Sequence, residues 1–201
     1  MLNRTLEKTS LVEREAAKLF DKIGYLETSL KDVSKASKLS KGGIYHYFSN
    51  KHEILFSIIN NYLDHLLEGL EDDLKKIDDL SSKIEFIVFR HLQMYNKKSP
   101  EAKATLIYSR NLPSKYFKII AKKQKQYAQV LTDILEEFFK DADGIKKEKA
   151  KAISYSLFGM CNSIMYWYDP KGKVTLEELS RIIYDIFMKG VSGYRNHISA
   201  K

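Results

Sequence analysis

Lys41, Tyr45, His46 and Tyr47 are the residues of this chain whose types and spacing point most directly to a chemistry. They lie between Ser40 and Phe48, in a stretch where Ile44 and Phe48 are four apart and so turn to the same side of a helix. With those two inward, an ammonium, an imidazole and two phenols remain on the other faces, a set of donors and rings that suits the acceptor-lined groove of a nucleic acid. Gly42 and Gly43 in the first turn disfavour an isolated helix. They also let another surface approach the backbone closely, as a contact to a phosphate or a base edge requires. Ser40 can cap this helix and Asn50 the next, with Glu53 three residues on and Lys51 near the helix start.

The elements that must position these groups are legible on both sides. Thr28 and Ser29 supply hydroxyls at a helix start, Asp32 follows Ser29 at capping-box spacing, and Leu30, Val33 and Ala36 form an apolar stripe. After Ser37 the chain must turn sharply while Leu39 drops inward. Further upstream, Val12, Ala16, Leu19, Phe20 and Ile23 make an amphipathic helix ended by Gly24 and Tyr25. A capped helix, a tight break and a second short helix are the grammar of a helix-turn-helix.

This segment resembles the DNA-binding domain of the TetR (tetracycline-repressor) family of bacterial transcription regulators. The resemblance is carried by Ser40, Lys41, Gly42, Ile44, Tyr45, Tyr47, Phe48, Lys51 and Ile54, and upstream by Ala16, Ala17, Leu19, Phe20, Gly24 and Tyr25. The chain departs from the family's usual Ala-Gly in the turn, where Ser37 and Lys38 stand. Lys38 is expected to adopt a left-handed conformation, at a cost of roughly 1 kcal/mol for a non-glycine residue. The resemblance implies that Lys41, Gly42, Tyr45 and His46 face the groove, with Lys41 and His46 donating to guanine acceptors, and that Ser40 is among the DNA-binding residues. Thr28, Ser29, Tyr47 and Lys51 are then expected at phosphates, which set register without reading sequence.

Composition is compatible with this. The 201 residues are 44% hydrophobic, with three prolines and nine glycines, which favours an all-α fold with ample core. The formal charge is +8. Residues 1–51 carry ten Lys/Arg against six Asp/Glu, a net of +4, so half the excess lies in a quarter of the chain. A basic balance alone is shared with other classes of anion-binding protein. No apolar run approaches the ~20 residues of a membrane span, and the expected setting is cytoplasmic, with no membrane partner. The single cysteine, Cys161, leaves no internal disulfide and reads as a small buried hydrophobe. No catalytic residue, metal site or cofactor is implied. The chain lacks a Gly-rich phosphate loop, HExxH, a Cys pair and G-x-S-x-G, and its five histidines do not fall at metal-ligand spacing.

About nine helices are expected, with a reading head over residues 1–51 and a ligand-binding and dimerisation body over residues 52–201. One long helix is expected over residues 51–74, and another that Ser81 or Ser82 caps. Pro100 and Pro113 each stand at a helix start, and residues 141–144 form a loop. Thr175 and Glu178 form a second capping box. The helix over residues 146–168 is apolar on two sides, with Ile153, Leu157, Ile164 and Tyr168 on one and Tyr155, Phe158, Asn162 and Met165 on another. The last helix shows Leu179, Ile182, Ile183, Ile186, Phe187, Gly190 and Tyr194. These last two helices either pack within one chain or pair with a second copy. The family resemblance implies a homodimer, which a two-half-site operator on double-stranded DNA requires.

His91, Tyr95, Tyr108, Arg110, Tyr127, Phe158, Asn162, Met165 and Trp167 are polar or aromatic groups inside apolar segments and suit an apolar pocket with a few orienting donors. The run from Trp167 through Pro170 and Gly172 to Glu178 resembles the FadR-like, fatty-acid-responsive branch of the family, for which the inducer is often an acyl-CoA. Lys115, Lys118, Lys122, Lys123 and Lys125 are either a basic rim for such a ligand's phosphates or a solvated helix face. The expected function is thus a repressor released from a palindromic operator by a small apolar inducer. The alternatives are a helical ligand-binding or scaffold protein without sequence-specific DNA binding, for which Lys38 is the support, and a nonspecific basic nucleoid protein.

Overall fold

The computed structural model describes the backbone of residues 2–97, 99–140 and 145–199, and side chains over residues 5–96, 99–140 and 145–193. The expected loop at 141–144, and Tyr194 as an inward residue of the last helix, lie outside these. Among the described residues there is no strand. Ten α-helices run in order: α1 (Leu2–Ile23), α2 (Leu30–Ser37), α3 (Lys41–Tyr45), α4 (Lys51–Leu67), α5 (Leu70–Lys75), α6 (Leu80–Lys97), α7 (Ser99–Tyr108), α8 (Ser114–Phe138), α9 (Lys147–Asn162) and α10 (Leu176–Ser199). Short 3-10 turns follow α7 and α9. The fold is all-α.

The tenth helix comes from a break. The helix expected over residues 51–74 stops at Leu67, because Gly69 takes a left-handed conformation (φ 69°) that starts α5. The cap of α6 also differs from expectation. Asp79 accepts the backbone N–H of Ser82 at 2.7 Å, so the carboxylate, not Ser81 or Ser82, serves the helix start.

The chain forms two compact units. One comprises Met1–His65 and Lys98–Lys123, the other Leu66–Lys97 and Gln124–Lys201, so α4 and α8 contribute residues to each. In the first, Val12, Ala16 and Phe20 of α1 are fully buried with Val33, Ile44, Ile54, Leu55, Ile58 and Ile59. Gly24 (φ 96°) ends α1, and Tyr25 turns back under it, 5.1 Å edge-on to Phe20 and 5.8 Å from the Tyr108 ring. Glu13 joins α1 to α4, accepting from Ser57 at 2.5 Å and Asn61 at 3.0 Å. In the second, Ile84, Val88 and Leu92 of α6 are buried with Leu131 and Leu135 of α8, Leu157 and Cys161 of α9, and Leu179, Ile183 and Phe187 of α10. Cys161 is 1% exposed, and burial pushes its thiol pKa to about 12, which makes it unreactive. No helix of the described residues is long and apolar enough to cross a membrane.

Candidate nucleic-acid interface and ligand site

The reading segment is built by short-range hydrogen bonds. Ser29 accepts the N–H of Asp32 at 3.2 Å while Asp32 accepts the N–H of Ser29 at 2.9 Å, closing the capping box at the start of α2. Hydrogen bonds from Ser29 hold the Asp32 carboxyl below its ordinary value. Ser34 donates to the carbonyl of Leu39 at 2.6 Å across the turn, and Lys38 is left-handed there (φ 56°, ψ 24°). That conformation closes the turn, so Lys38 no longer speaks for a chain that has lost the motif. Ser40 accepts the N–H of Gly43 at 3.1 Å and starts α3.

Ile44 and Phe48 fix α3 from below, 1% and 6% exposed. Above them Ser40, Lys41, Gly42, Tyr45 and His46 are exposed and Tyr47 is half-buried. The Lys41 ammonium stands 5.8 Å over the Tyr45 ring, and the His46 ring meets Tyr47 edge-on at 4.8 Å. A Cβ at Gly42 would meet nothing within 4 Å, whereas one at Gly43 would press on the Ser40 hydroxyl at 3.3 Å. Gly42 therefore has no internal reason to be glycine. Lys31, Lys35 and Lys38 add exposed ammonium groups from α2 and the turn, which no motif in the sequence singles out.

Two residues expected at phosphates are used inside the protein. Thr28 is 1% exposed and donates its hydroxyl to the carbonyl of Gly24 at 2.7 Å, so it serves the turn after α1. Lys51 donates to the carbonyls of Tyr25 (2.7 Å), Leu26 (3.1 Å) and Thr28 (2.8 Å), with its ammonium 4.5 Å over the Tyr25 ring. These three acceptors match the three N–H donors of an ammonium. Burial lowers the Lys51 pKa, with the charge of Glu27 opposing. Lys51 is thus a tie between α4 and the turn that precedes α2.

Of the nine residues expected around a ligand, four meet. His91 of α6, 6% exposed, lies between Tyr127 of α8, whose hydroxyl is 3.3 Å from Nδ1, and Asn162 of α9, whose Oδ1 is 3.0 Å from Nε2. The Phe158 ring closes the cluster, 5.4 Å from His91 and 5.1 Å from Tyr127. Burial lowers the His91 pKa, partly offset by the Asn162 contact, and so favours the neutral ring. In that form Nε2–H donates to Asn162 and Nδ1 accepts from Tyr127. Tyr95 is buried in the same unit, Met165 is half-buried, and Trp167 is 58% exposed with Nε1 donating to Ser163 at 3.4 Å. Tyr108 and Arg110 belong to the other unit. There Tyr108 donates to the carbonyl of Phe20 at 3.2 Å, and Arg110 is exposed beside the Phe117 ring. Lys123 is likewise engaged, donating to Asn60 and Asp64, while Lys115, Lys118, Lys122 and Lys125 are exposed.

α9 and α10 carry an uncovered apolar face. Tyr155, Ile182 and Ile186 are 49%, 48% and 58% exposed, and a groove lined by Ile153, Met160, Ile186, Phe187 and Val191 runs between the two helices. A Cβ at Gly159, Gly190 or Gly193 would meet nothing within 4 Å.

A short exposed helix held on a buried base by a capped turn, in a chain whose remainder is helical, defines a helix-turn-helix transcription regulator. A family model for bacterial regulatory proteins of the tetR family matches residues 14–58, and one for the tetracyclin repressor-like C-terminal domain matches residues 78–191. The chain belongs to the tetR family. A TetR-family transcriptional regulator from Bordetella parapertussis 12822 is similar in structure, with a TM-score of 0.83 and 27% identity over 90% of this chain and 93% of that one. The fatty acid metabolism regulator protein of Bacillus subtilis (strain 168) is 22% identical over 169 residues, 84% of this chain and 87% of its own. The fold also matches AibR, solved in complex with isovaleryl coenzyme A and operator DNA, with a TM-score of 0.74 and 22% identity over 89% and 97% of the two chains.

Proposed function

We propose that this protein is a homodimeric repressor that binds a palindromic operator through α2 and α3 and is released by a small apolar inducer of the acyl-CoA class. The single observation that carries the DNA-binding part is α3 itself: Ile44 and Phe48 are buried beneath it while Lys41, Gly42, Tyr45 and His46 stand exposed together. Lys41 and His46 donate to base edges, and Ser29, Ser40 and Tyr47 are assigned to phosphates. Lys51 and Thr28 hold the reader in shape. Reading belongs to residues 1–51, and ligand binding and dimerisation to residues 52–201. The protein has no catalytic role and acts in the cytoplasm, where its DNA lies.

The inducer class is supported by the neutral cluster of His91, Tyr127, Asn162 and Phe158, which suits an uncharged apolar group with one polar atom, and by the likeness to regulators whose names mention fatty acid metabolism or a bound acyl-CoA. The apolar face of α9 and α10 supports a four-helix interface with a second copy. The test is to form the complex on the DNA upstream of the protein's own gene and add isovaleryl-CoA, octanoyl-CoA and palmitoyl-CoA in turn. Release by at least one, with none by free CoA, is the expected result. A complex untouched by every acyl-CoA removes the inducer class and leaves the DNA-binding reading standing.

A further inference from the structure

Tyr116, near the start of α8, sits where the unit that holds the reader is closed from the side. Its ring stacks on Phe56 of α4 at 4.5 Å with an interplanar angle of 23°, and the Lys115 ammonium lies over the ring, 4.4 Å from its centre. Its hydroxyl donates to Oε1 of Glu53 at 3.2 Å. The other oxygen of that carboxylate, Oε2, accepts the backbone N–H of Ser49 at 2.8 Å. Ser49 immediately follows Phe48, the residue that pins the end of the reading segment into the core. Glu53 also donates its own N–H to Oδ1 of Asn50 at 3.0 Å, so the turn between α3 and α4 is closed on both sides by one residue. The hydrogen bond from Ser49 is the main cause holding the Glu53 carboxyl below its ordinary range, and Tyr116 and the Lys115 charge lower it further.

From this geometry we infer that Tyr116 is a positioning residue for operator binding: it fixes Glu53 so that Ser49, and with it the orientation of Tyr45, His46 and Tyr47, is held ready for the groove. A carboxylate engaged on one side only can rotate, and the turn then samples other arrangements. A second tie supports the same role for this part of the chain. Lys103 of α7 pairs with Asp21 of α1 at 2.9 Å, so residues 99–123 grip the reader at both its first helix and its last turn. The inference rests on the operator-binding reading above, but its local claim does not depend on DNA.

The experiment uses Tyr116→Phe, which keeps the ring stack, together with Glu53→Gln, Glu53→Ala and the double variant Tyr116→Phe/Glu53→Ala. Amide hydrogen exchange at Ser49 is followed by NMR in the full-length protein without DNA, and affinity is measured on operator and on random DNA. Tyr116→Phe is expected to speed Ser49 exchange about tenfold and to weaken operator binding about tenfold, with random-DNA binding changed less than about twofold, the scale of one hydrogen bond to a charged group. In the Glu53→Ala background the same substitution should have no further effect, because Tyr116 acts through Glu53. Glu53→Gln, whose amide oxygen can still accept the Ser49 N–H while its NH2 donates to the Tyr116 hydroxyl, should recover most of the affinity that Glu53→Ala loses. Unchanged Ser49 exchange in Tyr116→Phe overturns the inference. So does an effect of the same size with and without Glu53. A wild-type protein with no operator preference would defeat the operator reading, and Ser49 exchange would then still decide the clasp.

Discussion

At Gly42 the protein keeps an opening that almost any other residue would fill. The position is helical, its backbone is unstrained, and an added methyl would meet nothing inside the molecule. Gly42→Ala should therefore leave the fold intact or raise its stability by about 0.5–1 kcal/mol, the cost of glycine in a helix, while weakening operator binding at least about tenfold by blocking close approach. Denaturant unfolding and operator titration of the same preparation check both halves. Lys51 shows the opposite arrangement. With its three donors spent on Tyr25, Leu26 and Thr28, Lys51→Met should lower unfolding free energy by about 1.5–3 kcal/mol, the range for hydrogen bonds to a charged group. The slope of log affinity against log salt should stay that of the wild type, since no phosphate contact is lost. A fall in that slope by about one unit would return Lys51 to the phosphates.

His91 sets a pH dependence at the same scale. Its folded pKa lies below the ordinary 6.5, so between the two values the unfolded chain binds the extra proton. Stability is then fully present above about 6.5 and is lost as pH falls through that window. The wild-type melting temperature should drop from pH 7.5 to pH 5.5, and His91→Gln, which can still bridge Tyr127 and Asn162, should flatten that drop. Equal pH profiles for the two proteins would remove His91 as the cause.

Elements were legible in the sequence where their determinants are local. The α2 and α10 capping boxes at Ser29 with Asp32 and at Thr175 with Glu178 and the cap at Ser40 each depend on residues within a few positions and stand as the residue types indicate, whereas the left-handed Lys38 follows from the family's turn and against its own residue type. The break at Gly69 is equally local, but the apolar stripe of α4 continues through Leu70 and Leu74 and masks the glycine that redirects the backbone. Gly69→Ala should cost about 1 kcal/mol or more, since alanine tolerates φ 69° poorly, and chemical denaturation reads it directly. What could not be read was long-range partnership. Nothing near Lys51 announces that its acceptors are carbonyls some 23 to 26 residues earlier, and nothing near Tyr108 announces the Phe20 carbonyl. Helical periodicity tells that a residue faces inward but not which neighbour it meets. Periodicity alone therefore does not separate Tyr108 from His91, Tyr127, Phe158 and Asn162, although only the last four form one cluster. Tyr116 is silent in the sequence for the same reason, since a lone tyrosine three residues after a proline carries no signal until Glu53 and Phe56 are beside it.

For the molecule as a whole, operator binding requires two readers. A single α3 contacts a few base pairs, and an operator half-site pair about 10–10.5 base pairs apart demands two copies held at fixed spacing. Ile182 and Ile186 are exposed on α10 with Gly190 and Gly193 further along the helix, and Tyr155 is exposed on α9. Ile186→Asp should convert the dimer to a monomer with little change in helix content, and should abolish operator binding while leaving weak attraction to random DNA. Sedimentation equilibrium with circular dichroism distinguishes this from unfolding.

The central claim, that α3 reads sequence, is tested most directly by equilibrium binding to a palindrome from the protein's own upstream DNA and to the same duplex with the half-sites scrambled, at one physiological salt concentration. The account predicts affinity for the palindrome at least about a thousandfold tighter than for the scrambled duplex, the usual scale of specific over nonspecific recognition. Equal affinity for the two duplexes would contradict it, and would mean that the charge of the head attracts DNA without reading it.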